Sequence, residues 1–247
     1  MKLIFMLRNK FMEVIKMNST QLKIFAMITM FLDHIGTIFY PEVIAFKIIG
    51  RLAFPIFCYF IAEGYLKTRN KKKYALRLLI IALISQLPFI KTFRLAFGEN
   101  LLLLNTIFDL FLGLISIWLY DSLKLKHNII IIWGIAILAF FLRIDGDFMG
   151  IFMIYFFFKY HDFFNKMAKK QILLIGISQI IYMLYMLAYG VPLIALLNLQ
   201  MWEGLFAILA LIPIKYYNGK KGKNIKYSFY VFYPLHLLVI YLIKINL

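Results

Sequence analysis

Acidic side chains are scarce in this chain: 11 Asp and Glu stand against 28 Lys and Arg. Charged residues together fill 16% of the 247 positions and hydrophobic ones fill 64%, which excludes a water-soluble fold, because such a surface could not be covered with polar groups. Cysteine is nearly absent. The lone Cys58 rules out an internal disulfide and any cysteine-rich metal site, and says little about compartment. No secretory leader is expected, because the apolar run at residues 3–7 is short and no small-residue cleavage site follows. Internal repeats, low-complexity tracts and interdomain linkers are missing as well. His-x-x-x-His spacing does not occur, so no metal is expected.

Long apolar runs take the place of all these. Windows near the roughly 20 residues that cross a bilayer fall at about 21–40, 43–66, 74–90, 101–121, 128–143, 147–160, 171–190, 192–214 and 228–246. The chain therefore reads as an all-α polytopic membrane protein of about nine transmembrane helices, its aromatic residues suited to interfacial belts. The fifth and sixth windows are short. They flank Arg143, Ile144, Asp145, Gly146 and Asp147 and could merge into a re-entrant pair. Upstream, Leu3, Leu7, Phe11, Val14 and Ile15 recur near helical spacing with Arg8, Lys10 and Lys16 between them, as in a short surface helix. Met17 would serve equally as a start. The division expected is an extension over 1–20 and one transmembrane domain over 21–247.

A net charge of +17 would suggest a nucleic-acid partner in a soluble chain. On this apolar background it reads instead as loop bias, with membrane lipid as the neighbour and no nucleic acid. If the N-terminus is inside, 22 of the 28 basic residues fall on the inner side and five on the outer, with Arg51 left within the membrane. That asymmetry predicts an N-in, C-out protein of the cytoplasmic membrane.

Charges within the apolar windows are costly and so point to function. Asp33 and His34 lie in the first window and Arg51 in the second. The turn between them centres on Pro41 and Glu42, so Asp33 and Arg51 each lie nine residues from Glu42, about 13 Å deep at 1.5 Å per residue. Opposite charges at matched depth on antiparallel helices predict an Asp33–Arg51 ion pair, whether structural or catalytic. Adjacent helical side chains do not face each other, so Asp33 is a poor orienter of His34. Pro55 leaves the Arg51 carbonyl without its helical amide. Asp109, Glu203 and His236 fall in the same layer and Glu63 nearer the inner end, which predicts a polar chamber. His34 or His236 could act as a base near neutral pH, whereas His127 and His161 read as solvated loop residues.

Two inner loops are strongly basic. One carries Lys67, Arg69, Asn70, Lys71, Lys72 and Lys73; the other carries Asn218, Gly219, Lys220, Lys221, Gly222 and Lys223. They serve either as orientation signals that attract anionic lipid or as a seat for the phosphates of a nucleotide-like donor.

Several of these stretches resemble TraX-type proteins. The similarity runs through Leu22-Lys23-Ile24 into Asp33-His34-Ile35-Gly36, then Gly50-Arg51-Leu52-Ala53-Phe54-Pro55-Ile56-Phe57 and Glu63-Gly64. It returns at Ser85-Gln86-Leu87-Pro88-Phe89, at Tyr217-Asn218-Gly219-Lys220-Lys221-Gly222 and at Phe232-Tyr233-Pro234-Leu235-His236-Leu237. That family is named for a conjugative-pilus protein that N-acetylates pilin, and it looks related to wider transmembrane acyltransferases that use an intramembrane histidine. The resemblance implies transfer of an acetyl or short acyl group from acetyl-coenzyme A to an amine or hydroxyl of a pilin, glycan or other envelope molecule. It makes His34 the carried-over candidate, supported by Asp33 and Arg51 with His236 next; the basic loops, through Arg69, Lys71, Lys72, Asn218, Lys220 and Lys221, are the expected seat of the donor. The alternative is a non-enzymatic membrane protein, either a small-solute or proton-coupled transporter or an assembly factor.

Overall fold

The computed structural model describes residues 16–123, 127–223 and 226–247. The surface helix expected over 3–17 lies outside these up to residue 15, as do Lys124 and Lys126 of the charge count. Among the described residues the chain is all-helical: α1 Ser19–Phe39, α2 Ile44–Gly50, α3 Ala53–Lys67, α4 Lys71–Phe97, α5 Thr106–Ser122, α6 Ile129–Phe141, α7 Asp147–Lys159 and α8 Phe164–Ala188. Two 3₁₀ helices, Leu193–Leu197 and Leu199–Ala210, run into α9 Leu211–Lys215, and α10 Lys226–Ile245 closes the chain.

Among the described residues, six helical segments are long and apolar enough to cross a membrane, with α2–α3 counted as one and Leu193–Lys215 as another. The other three of the nine expected windows form shorter helices. α5 has 17 residues and α6 and α7 have 13 each, about 25 and 20 Å against a hydrocarbon core of about 30 Å. The fourth window starts late for a local reason. Asn105 caps α5 by accepting from the Ile107 amide at 3.0 Å, while its own amide donates to the Ala82 carbonyl at 2.8 Å. Apolar residues 101–104 are therefore non-helical, and Leu104 pairs with the 143–145 turn through backbone bonds of 2.8 and 3.0 Å. Large side chains such as Leu87, Phe141 and Ile194 remain exposed, as suits lipid contact.

α3 is the buried centre, with eleven of its fifteen residues shielded. It packs against α1, α5, α7 and the second 3₁₀ helix. Its break from α2 at Arg51 and Leu52 follows from Pro55, which cannot supply the amide that the Arg51 carbonyl would need to continue one helix. Gly50 and Gly36 permit the close approach of α2 to α1. A Cβ on Gly50 would run into the Asp33 carboxylate, and one on Gly36 into Phe46.

α1 begins with a capping box in which Asn18 accepts from the Gln21 amide at 3.0 Å and Gln21 accepts from the Asn18 amide at 2.9 Å. The 216–223 loop lies against this start, since Met17 donates to the Tyr216 carbonyl, Asn218 to that of Met17 and Ser19 to that of Lys220, at 2.8–3.0 Å. Farther along, α1 and α10 meet through His34 and His236. The first and last helices thus start at the same end of the bundle and run in the same direction.

Candidate functional site

His34 on α1 and His236 on α10 are both buried, and His34 Nδ1 lies 2.7 Å from His236 Nε2. The rings are nearly parallel, 9° apart with centroids at 4.9 Å. Phe232 stacks on His236 and Phe93 sets its edge on His34, fixing both rings. On its far side His236 Nδ1 is 2.8 Å from the Phe232 carbonyl. A carbonyl only accepts, so His236 Nδ1 carries the hydrogen and donates it. In the neutral ring Nε2 then holds the lone pair, and the proton in the 2.7 Å contact belongs to His34 Nδ1. His34 Nε2 is left with its lone pair free. This side chain borders a cavity of about 380 Å³, whereas His236 stands behind it.

The same cavity is lined by Asp33, Arg51, Thr106, Asp145, Gln179 and Glu203. Arg51 forms its ion pair with Glu203, not with Asp33 as matched depth suggested. The helix break explains the difference: Gly50 takes the contact with Asp33, and Arg51, in the turn beyond, meets the second 3₁₀ helix. Residues three apart share an edge in that geometry, so Gln200 and Glu203 both reach the cavity. Asp33 Oδ1 and Arg51 Nε are left without partners. Asp145 is held by a turn with positive φ at Arg143, Gly146 and Asp147, and accepts from the Thr106 hydroxyl at 2.6 Å.

The Arg51–Glu203 pair is part-exposed to the cavity, so its loss falls between surface and buried cases. Arg51→Gln and Glu203→Gln are each expected to cost about 1–3 kcal/mol in detergent unfolding. The double variant should recover part of this. Strict additivity would show that the two side chains are not coupled.

A second cavity, about 490 Å³, opens at the end of the bundle where α1 and α10 start. Lys23, Lys67, Arg77 and Lys221 line it with the single carboxylate Glu63, and Tyr74, Tyr217 and Tyr230 add hydroxyls. Lys67 donates to Glu63 at 2.6 Å and to the Gly219 carbonyl at 3.2 Å, joining the two basic loops. Burial, then Glu63, pushes the Tyr217 hydroxyl up, so it stays a neutral donor.

A family model described as TraX protein matches residues 18–244. The chain belongs to the TraX family. A curated relative, the probable fimbrial assembly protein FimC, serogroup H1, of Dichelobacter nodosus, is 27% identical over 248 residues, spanning 90% of this chain and 94% of its own. Uncharacterized protein RP591 of Rickettsia prowazekii (strain Madrid E) is 37% identical over 82 residues, 33% of this chain and 31% of that protein. No solved structure matches.

Of the site residues expected from sequence in this TraX family member, His34, Asp33 and Arg51 border one cavity and His236 backs it. Among the expected donor ligands only Lys221 lines the second cavity. Arg69, Lys72 and Lys220 point to solvent, and Asn218 closes its own loop by accepting from the Lys220 amide at 2.9 Å. Lys71 is engaged elsewhere, donating to the Tyr65 hydroxyl at 2.6 Å with Asp121 at 3.5 Å. Lys23 and Arg77, two of the 22 basic residues counted on the inner side, also line the second cavity. Their position inside apolar windows was the available signal that they face the bundle. Asp109 leaves the chamber, because its carboxylate is fully buried behind Phe54 against Gly146 and Gly150 with neither oxygen partnered. His161 is not simply solvated: it is half-buried with its ring parallel to that of Tyr59. Among the described residues no group of three His, Cys, Asp or Glu could hold a metal ion.

Proposed function

We propose that this TraX family member is a membrane-embedded acyltransferase. It moves an acetyl or other short acyl group from cytoplasmic coenzyme A to an amine or hydroxyl at the outer face, on a pilin, glycan or other envelope molecule. The observation that carries this reading is a histidine with one nitrogen free of protein partners, in a residue that borders one polar cavity, while a cation-lined cavity opens at the other end of the bundle. The orientation that fits is N-in, C-out in the cytoplasmic membrane. Its supports are the 22-to-5 division of basic residues and the parallel first and last helices, which require an odd number of crossings. Among the described residues, the six helical segments of spanning length would reach that odd count, nine, if the three short helices also cross.

In the reaction, the thioester lies with its phosphates among Lys23, Lys67, Arg77 and Lys221 and its carbonyl beside His34. His34 Nε2 takes a proton from the acceptor amine or hydroxyl, whose nitrogen or oxygen attacks the thioester carbon. Arg51 stabilises the oxyanion of the tetrahedral intermediate electrostatically. As the carbon–sulfur bond breaks, the His34 imidazolium returns the proton to the leaving thiolate, giving free coenzyme A and the acylated acceptor. His236 accepts from His34 Nδ1–H throughout, so Nε2 is the nitrogen that takes up the proton and returns it.

Purified protein given acetyl-coenzyme A and an envelope extract is expected to bind the thioester in calorimetry and to release thiol together with labelled product. Protein that neither binds acetyl-coenzyme A nor releases thiol with any extract would sink the enzyme reading. A second reading, a non-enzymatic assembly factor, draws support from the name of the Dichelobacter relative. It requires the opposite pattern, in which pilus assembly depends on the chain and no thiol appears.

A further inference from the structure

We propose that Phe57 is the partition between the two cavities and that the acyl end of the donor passes by displacing its ring. This rests on the acyltransferase reading for the passage, though not for the partition. Phe57 is the one residue, among those described, that borders both cavities. Its neighbours one turn away divide cleanly, with Phe54 lining the histidine cavity and Phe60 the cationic one. The ring is buried and leans on Phe229 of α10 at 5.6 Å between centroids, tilted by 59°. The Phe57 side chain carries no hydrogen-bonding group, so displacing its ring breaks no hydrogen bond of its own.

The distances suit a donor that reaches across. Lys23 and His34 border opposite cavities on α1, eleven residues apart, or about 16 Å at 1.5 Å per residue. A coenzyme A molecule whose phosphates sit at Lys23 must extend its pantetheine arm over that length. The arm spans roughly what four to five extended residues do, about 15–18 Å. Phosphates thus stay among the cations while the narrow arm threads past Phe57. The ring then limits both water leakage between cavities and the girth of the acyl group that enters.

The test uses the full chain in proteoliposomes, with Met30→Cys as a reporter in the histidine cavity in a Cys58→Ala background. A small, anionic, impermeant methanethiosulfonate is applied from the side on which Lys71→Cys reacts. With Phe57 in place, labelling is expected to be slow. Phe57→Ala should raise its rate at least tenfold, with Phe57→Leu between, and Phe57→Trp should leave it slow. Equal rates for Phe57 and both smaller variants would overturn the partition, whether or not the protein is an enzyme. For passage, Phe57→Trp should bind acetyl-coenzyme A with unchanged affinity and release thiol at least tenfold more slowly. Thiol release at the wild-type rate from Phe57→Trp would overturn the passage while leaving the acyltransferase reading intact. Absence of thiol release from the wild type, with the labelling pattern as expected, would instead remove the enzyme and keep the wall.

Discussion

Replacing His34 with alanine is expected to slow acyl transfer by about 10²–10⁴-fold, the usual contribution of a positioned general base, while acetyl-coenzyme A binds as before. The reason lies in the hydrogen-bond chain. Phe232 holds the His236 proton on Nδ1, His236 holds the His34 proton on Nδ1, and His34 Nε2, in a residue that borders the cavity, is left as the base. His236→Ala removes the acceptor that selects this tautomer and should cost about tenfold or more. His236→Gln can restore an acceptor oxygen and should recover part of the rate, which a purely structural role would not predict. Calorimetry for binding and thiol release for rate separate the two effects. Full activity in His34→Ala with a dead His236→Ala would transfer the base to α10.

The second large effect concerns the donor. Charge-assisted hydrogen bonds are worth about 1.5–3 kcal/mol each, so Lys23→Ala and Arg77→Ala are each expected to weaken acetyl-coenzyme A binding about ten- to hundredfold. Both side chains line the cationic cavity. Arg69→Ala and Lys72→Ala, whose side chains are exposed, should change binding less than twofold. Raising ionic strength should weaken binding to the wild type more than to either cavity variant, because each has one fewer cation to be screened. A large loss at Arg69 or Lys72 with none at Lys23 would return the phosphates to the loops.

Depth along a helix was legible in the sequence; direction around it was less so. Counting from helix ends put His34 and His236 in one layer, and they meet directly. The same counting matched Asp33 to Arg51, but Pro55 interrupts the helix and Arg51 finds Glu203, about 150 positions later in the chain. Nothing local announces that partner. The basic loops were visible as clusters, but most of their lysines and arginines face solvent. Of the four cations that line the second cavity, Lys67 and Lys221 come from these loops, whereas Lys23 and Arg77 are single charges in apolar runs. Hydropathy also overcounted helix at residues 101–104, where a capping asparagine, not polarity, sets the boundary.

The 3₁₀ helix Leu199–Ala210 would give the site a response to bilayer thickness if it tightened toward or relaxed from an α-helix. At about 2.0 Å per residue its 12 residues reach some 24 Å, whereas an α-helix of the same length would reach about 18 Å. A thinner membrane therefore favours tightening this stretch, relieving hydrophobic mismatch by shortening one span instead of tilting the whole bundle. The change from three to 3.6 residues per turn would also rotate Glu203 away from Arg51. Lipid acyl length and the charge balance beside His34 would then be linked through a single segment.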